Sequence, residues 1–525
     1  MKRLLNLGIT IVAVALSLSL SSLKAYAKAQ DYIRVGLESS YKQVQSLKID
    51  NTAVYISLSR GGSIVNHGEL YSNYGFSLTV DNLYYAETDY TYESFNKASE
   101  QAALIAGFSG NALCAYKDSL WTVYMGGYQS EQEALNAVNS GLARKVVYPS
   151  GSGVRLEDGD GPIALFTKEN GYALLSTDST VLLGNKEYRG YIEAGRYTGG
   201  VITAVNVIDV EDYLRSVVPS EMPSSWPIEA LKAQTVAARS YTYTRMGIHS
   251  DSGYDLCDGI HCQVYNGYKN ETESTNRAVD ETAGLVALYQ GEVINATFFS
   301  SSGGATDNSE NVWANKLGYL RAVADPYDTT GKIWSRTFTL NEIDELLRVN
   351  NMNIGNAKTV AITEVSPLGR VQKLTITGSL GSKTLEKEDV RNFFSKASGG
   401  ALESRYFTIG DMPVQTGYSS SLHIIGKDSN SNLLKNEVYV IDSKGDTSKA
   451  SSDLYIEGIN GKEKFTEGAY TPSNTTASTG TSFTINGRGW GHGVGLSQHG
   501  AKGMAESGFT FEEILKHFYT DIEIR

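Results

Sequence analysis

Cysteine is nearly missing from this chain, with three among 525 residues. Three thiols close at most one disulfide, so the fold is not a cross-linked scaffold and must rest on ordinary apolar cores. Positive charge is also short. Lys and Arg number 46 against 58 Asp and Glu, a net charge of -12, which argues against a nucleic-acid backbone as partner. A carbohydrate polymer is not excluded, because sugars are read by hydrogen bonds and aromatic faces rather than by bulk charge. Beyond Leu20 no stretch is apolar enough to span a bilayer.

What the chain does contain is glycine and tyrosine, 53 and 33 of them, within a 41% hydrophobic composition that is sufficient to fold. The length predicts two to four domains. Lys2 and Arg3, an apolar run from Leu4 to Leu20 and the "AYA" ending at Ala27 have the order of a secretory signal peptide over 1–27. The alternative is an uncleaved N-terminal anchor. Either reading places the rest outside the cytoplasm.

Alternating stretches with glycine turns predict a small strand-rich region over 28–114. A small α+β unit is expected over 115–184, with a helix after "SLWTVYMGGYQS" that turns Ala134, Leu135, Ala137 and Val138 inward. Residues 185–525 form a further domain. "KTVAITEVSPLGRVQKLTITG" (358–378) reads as a hairpin, with "LEKEDVRNFF" a helix behind it. A Ser/Thr/Gly/Asn-rich insertion is read at about 411–480. Thr510 and Glu513 have the spacing of a capping box opening a last helix. The fold class expected is α+β: a mixed, strand-rich, multi-domain chain.

Three clusters carry chemistry. The first is "VVPSEMPSSWPIEALKAQTVAARSYTYTR" (217–245). Pro219 and Pro223 flank Glu221 and predict that it sits on a constrained loop. Pro227 opens a helix on which Ile228, Leu231, Thr235, Ala238 and Thr242 share a face. A single acid held rigidly before a helix suits protonation of a poor leaving group such as a glycosidic oxygen. No partner carboxylate stands beside it, as ordinary glycoside hydrolysis would need. The plain alternative is that Glu221 caps the helix or pairs with Arg239.

The second is "HSDSGYDLCDGIHCQVYNG" (249–267), where His249, Cys257, His261 and Cys262 match a tetrahedral zinc site in number and type. A Cys257–Cys262 disulfide is the competing reading, and Cys114 is distant from both. The third is "GRGWGHGVGLSQHG" (487–500). It lacks the Gly-Lys-Ser/Thr ending of a phosphate loop. Trp490 is placed to stack on a sugar, with His492 and Gln498 hydrogen-bonding it. The alternative is a tight structural turn. "SSSGG" (300–304) is not the Gly-x-Ser-x-Gly elbow of a serine hydrolase.

Together, "SVVPSEMPSSWPIEALKAQTVAARSYTY", "SSSGGATDNSENVW" and "GRGWGHGVGLSQHGAKGMA" resemble the signature segments of the SpoIID/LytB family. That family includes the stage II sporulation protein D lytic transglycosylases and the amidase enhancers. The resemblance covers about 185–525, and the region near 115–150 resembles a sporulation-related repeat that binds peptidoglycan. It implies a SpoIID-type catalytic domain that cleaves the MurNAc–GlcNAc β-1,4 bond without water and leaves 1,6-anhydroMurNAc ends. Glu221 would be acid and then base. Arg239, Ser302, Gly303, Gly304, Trp490, His492 and Gln498 would contact substrate. A structural zinc would sit on His249, Cys257, His261 and Cys262. The partners implied are peptidoglycan glycan strands, with a cell-wall amidase or other sporulation proteins beside them. The alternative within the family is a non-catalytic wall-binding protein that stimulates an N-acetylmuramoyl-L-alanine amidase.

Overall fold

The computed structural model describes residues 32–410 and 480–525, with six short strands between 421 and 464. The expected signal peptide over 1–27 lies outside the described residues, as does most of the expected insertion at about 411–480. Two compact units form. One comprises the chain up to Val286 with Val293–Asn295 and Arg525; the other comprises Ala287–Glu292 and Ala296–Ile524.

The first unit contains a seven-stranded sheet whose centre is built from distant segments. Tyr32–Gly36 lies between Thr203–Asp209, to which it is antiparallel, and Leu256–Cys257, to which it is parallel. The sheet continues through Tyr191–Gly195, Leu174–Ser176, Ala53–Arg60 and Ser63–Tyr71. Strands on both sides of the expected boundary at 184/185 thus pair in one sheet. The backbone hydrogen bonds of Thr203–Asp209 are completed by the N-terminal strand, so the two segments belong to one structural unit.

A ten-stranded sheet holds the βαββαβ run expected as a small α+β unit. It spans Tyr84–Tyr92, helix α1 (Phe95–Ser109), Ala112–Lys117, Leu120–Tyr128, helix α2 (Glu131–Asn139) and Lys145–Val147. The run therefore starts well before residue 115, and the boundary read at 114/115 falls inside a strand. The Ser130 hydroxyl caps α2 by accepting from Glu133 N. Ala134 is buried but Leu135 is exposed, so the inward face is narrower than the apolar pattern suggested.

Two helices carry the candidate acid. Helix α3 (Val210–Glu221) leaves the strand Thr203–Asp209 directly, with the Asp209 carboxylate accepting from Glu211 N at 2.8 Å. Helix α4 (Ile228–Arg245) is buried on most sides, including Ala230, Leu231, Ala233, Thr235, Ala238 and Thr242. Its alanines permit close packing all round, which is why the single apolar face read from spacing was too narrow; Ile228 is only half-buried. Helix α5 (Glu273–Glu281) follows in the same unit.

The second unit has an apolar core that includes Trp334, Phe338, Leu346, Leu374, Ile376, Phe394 and Ile485. The hairpin Ala357–Val365 with Val371–Gly378 is present, as is helix α6 (Leu340–Val349). Leu385 and Glu386 lie in a third strand, Ser382–Glu386, and only Asp389–Asn392 is α-helical. Phe407–Ile409 pairs antiparallel with Ser482–Gly487, so the two flanks of residues 411–480 are adjacent strands. Helix α7 (Gln498–Glu506) and helix α8 (Phe511–Phe518) close the unit, the latter with the Thr510–Glu513 capping box.

Candidate functional site

Glu221 is the last residue of α3, not a loop residue. The helix runs through Pro219, whose missing N–H falls in the closing turn, and Met222 N donates to Val218 O at 2.9 Å. Met222 is extended (φ -124°, ψ 140°), the conformation its following proline demands. The acid thus sits where the chain leaves a helix for a forced extended residue.

Its surroundings come from the segment after Cys262. The Val264 N–H donates to the Glu221 carboxylate, while burial raises the carboxyl above its ordinary range and outweighs that bond. No neighbouring charge is among the causes of the shift. The rings of Tyr213 and Tyr241 are near enough for Glu221 to act on their hydroxyls. Gln263 ties this segment to both helices: its Oε1 accepts from Thr242 Oγ1 at 2.8 Å and Tyr213 OH at 3.3 Å. Asn270 Nδ2 donates to Ser220 Oγ at 2.7 Å, and Asn266 N donates to Ser216 Oγ at 3.2 Å.

Pairing between Glu221 and Arg239 does not occur. Arg239 is fully buried and grips Glu211 with two nitrogens, one of them at 2.8 Å, while donating to Leu285 O at 3.0 Å. Arg239, expected to contact substrate, lies inside the core, where its guanidinium fastens α4 to the start of α3.

His249, Cys257, His261 and Cys262 converge, with all four ligand atoms within 4.8 Å of one another. Cys262 Sγ lies 3.4 Å from His249 Nε2 and 3.6 Å from His261 Nδ1, and Cys257 Sγ is 3.9 Å from His261 Nδ1. A tetrahedral ion with bonds of about 2.0–2.3 Å separates sulfur and nitrogen ligands by about 3.5 Å. The cluster therefore offers a metal ion four ligands at close to the required separations. All three cysteines are free, so the Cys257–Cys262 disulfide is not formed, and Cys114 is a buried thiol pushed up to about 12 by burial. The strand Leu256–Cys257 pairs with Tyr32–Gly36, which explains how the cluster is held at the sheet edge.

In the second unit the "SSSGG" and glycine-histidine segments meet. Ser301 N donates to Trp490 O at 3.1 Å, and Trp490 N donates to Ser301 O at 2.8 Å. Gly489 is required by this approach: its φ is 78°, and a Cβ there would lie 2.7 Å from Ser301 O. Most of the residues expected to touch substrate here are interior. Ser302 is buried, donating to Asp325 Oδ2 at 2.6 Å. Gly303 N donates to Asp328 Oδ2 at 3.0 Å, and Gly304 N donates to Ser302 Oγ at 3.0 Å. His492 has both ring nitrogens occupied, Nε2 donating to Phe298 O at 3.1 Å and Nδ1 accepting from Val494 N at 3.1 Å; burial drives its pKa down to about 3. Gln498 is 7% exposed at the start of α7. Ser302, Gly303, His492 and Gln498 thus lie largely inside the loop structure. Trp490, 51% exposed, is the exception.

Sequence reasoning missed Val264, Gln263, Tyr213 and Tyr241. Val264 acts through its backbone N–H, which no residue type signals. The tyrosines are two among 33.

The comparisons with known proteins agree with the resemblance. A family model described as "Stage II sporulation protein" matches residues 198–289, and a domain of unknown function (DUF8618) matches 327–428. The chain is 31% identical over 328 residues to the amidase enhancer of Bacillus subtilis, covering 58% of this chain and 39% of that protein. It is 27% identical over 338 residues to stage II sporulation protein D of Bacillus subtilis, covering 61% of this chain and 76% of that one. A protein of Brachyspira hyodysenteriae is 29% identical over 356 residues, covering 67% and 76% respectively. The matching segment thus spans about two fifths of the amidase enhancer's length. Among the described residues no helix is long and apolar enough to cross a membrane. With the signature segments, a family model that matches over the acid and its helices, and relatives 27–31% identical, the chain belongs to the SpoIID/LytB-like family of amidase enhancers and stage II sporulation protein D homologues.

Proposed function

We propose that this protein remodels the cell wall as a lytic transglycosylase on peptidoglycan glycan strands, with Glu221 as acid and then base. The observation that carries the reading is a lone carboxyl, raised by burial, at the end of a rigid helix. In its protonated form Glu221 gives its proton to the β-1,4 glycosidic oxygen between MurNAc and GlcNAc as the C1–O bond breaks. The muramic 6-hydroxyl then bonds to C1 of the same sugar, and the Glu221 carboxylate takes the hydroxyl proton. Glu221 ends protonated again, the product is a 1,6-anhydro sugar, and no water is consumed. One carboxyl suffices because the substrate supplies the nucleophile.

The His249–Cys257–His261–Cys262 cluster fits zinc in donor chemistry and separation. Bound there, zinc would serve as a structural clamp. The chain itself passes from Cys262 through Gln263 to the Val264 N–H that holds Glu221, so the clamp would fix the acid's position without touching substrate.

A second reading has its own support: the 31% identical relative is named an amidase enhancer. In that reading the protein binds glycan and stimulates a separate amidase without cutting. The relative's name speaks for this role, and the setting of Glu221 speaks for cleavage. The test is mass spectrometry of products from purified glycan strands, with and without an N-acetylmuramoyl-L-alanine amidase. Anhydromuramic ends from the protein alone support transglycosylation. Their absence, with faster amidase turnover, overturns it in favour of the second role.

A further inference from the structure

Trp121 lies on the strand Leu120–Tyr128 of the ten-stranded sheet and is completely buried. An indole N–H can only donate, and a buried donor needs an acceptor. The acceptor Trp121 uses comes from the other sheet of the first unit: its Nε1 donates to His67 Nδ1 at 3.2 Å. His67 is half-buried on Ser63–Tyr71, the edge strand of the seven-stranded sheet. The two rings pack edge to face with centroids 5.6 Å apart. Phe95 of α1 stands 4.8 Å from the indole, so α1 and both sheets meet at this one donor.

The bond fixes the protonation of the imidazole. Nδ1 accepts, so the ring's single proton is on Nε2 and the ring is neutral. A second proton would go to Nδ1 and set two N–H groups against each other. The surroundings resist that proton. Burial pushes the His67 pKa below its ordinary value, and Arg60 on the paired strand Ala53–Arg60 pushes it the same way. Tyr116, with its ring centroid 5.3 Å from that of His67, and the uncharged Phe95 and Asn96 of α1 bring no negative charge. Along the adjoining strands, Glu69 bonds Tyr71 and Lys117 pairs with Glu87. The sign follows. A lowered folded-state pKa makes the stabilisation complete above the unfolded histidine value of about 6.5, and it is lost as pH falls from there through the folded one.

We propose that the His67–Trp121 bond is an acid-released latch: with His67 neutral it holds the hairpin Ala112–Lys117 and Leu120–Tyr128 against the edge strand Ser63–Tyr71, and when His67 takes a proton from solvent the bond breaks and the hairpin opens locally together with α1. The strand Thr203–Asp209, from which α3 and Glu221 start, lies in the interior of the seven-stranded sheet and stays closed. The latch thus gives pH sensitivity to the N-terminal βαββαβ run and leaves the setting of the acid alone.

The test is amide hydrogen exchange on the full protein at about pH 7.5 and about pH 5, on either side of the ordinary histidine value, with rates corrected for the intrinsic effect of pH. In wild type, protection of Ala112–Tyr128 should fall about tenfold at the lower pH, the scale of one buried donor left without its acceptor, while Thr203–Asp209 keeps its protection. His67→Gln should abolish the fall, because an amide oxygen accepts from the indole at either pH and does not titrate. His67→Phe should show the reduced protection already at the higher pH. A second readout is the indole N–H resonance of Trp121 in protein carrying ¹⁵N-tryptophan, assigned among the five tryptophans by Trp121→Phe; it should shift along the same pH course in wild type and stay put in His67→Gln. An indole signal that does not move in wild type, an equal fall in His67→Gln, or a loss spread evenly over the whole first unit overturns the latch.

Discussion

Stripping metal from the His249–Cys257–His261–Cys262 cluster should lower the stability of the first unit by a calculable amount. Three sulfur–nitrogen separations in the cluster, 3.4, 3.6 and 3.9 Å, bracket the roughly 3.5 Å edge of a tetrahedral zinc site. Little rearrangement is then needed to bind. At free zinc about 1,000-fold above Kd, binding to the folded state alone adds about 4 kcal/mol. A unit of this size shifts by roughly 2 °C per kcal/mol, so a chelator should lower its Tm by about 8 °C. Cys262→Ser should reproduce most of that loss, and chelator should then have little further effect. Cys262 also lies two residues before the Val264 that bonds Glu221, so glycan cleavage should fall along with the metal content. The assay is differential scanning calorimetry paired with elemental analysis on protein purified without chelator. Unchanged Tm on stoichiometric metal removal, or protein without metal that carries a Cys257–Cys262 disulfide under zinc-replete conditions, would refute the argument.

Glu221→Gln should reduce release of anhydromuramic ends by about 10²–10⁴-fold, with circular dichroism unchanged; similar rates from both proteins would exclude Glu221 as the acid. Because burial raises the Glu221 pKa, cleavage should decline as pH rises through that elevated value, and a profile that instead falls at the ordinary carboxylate range would contradict the setting described. The sign for stability follows: the folded state holds its proton more tightly than the unfolded one, so wild type loses stability as pH rises from the unfolded pKa to the folded one. Glu221→Gln should therefore be the more stable protein at neutral pH and lose that advantage below about pH 4, as read from urea unfolding at the two pH values. Arg239→Met should destabilise by about 3 kcal/mol, since it leaves Glu211 without its partner; the low end of the usual 3–5 applies because the Glu211 side chain is 26% exposed. Adding Glu211→Gln should recover part of the loss, and full additivity of the two changes would argue against the pair.

Sequence alone named the candidate residues: Glu221 between two prolines and the His249, Cys257, His261 and Cys262 set. Those four candidate ligands fall within fourteen residues, a stretch that could extend to roughly 45 Å, and it is the fold that brings their ligand atoms within 4.8 Å of one another. Local rules also held where they act locally: Thr510 and Glu513 form their capping box, Pro223 makes Met222 extended, and "KTVAITEVSPLGRVQKLTITG" pairs as a hairpin. What only tertiary structure decided is which side chains face outward and which segments share a sheet. Pro219 did not stop α3 before Glu221, since the unmade bond falls in the last turn. Ser302, His492 and Arg239 have the composition of ligand-binding residues, yet their hydrogen-bonding capacity is largely used inside the core. Tyr32–Gly36 is joined to Thr203–Asp209 and Leu256–Cys257 across more than 160 residues of chain. Burial and long-range backbone pairing depend on the whole chain, and a pattern read within a short window carries no information about either.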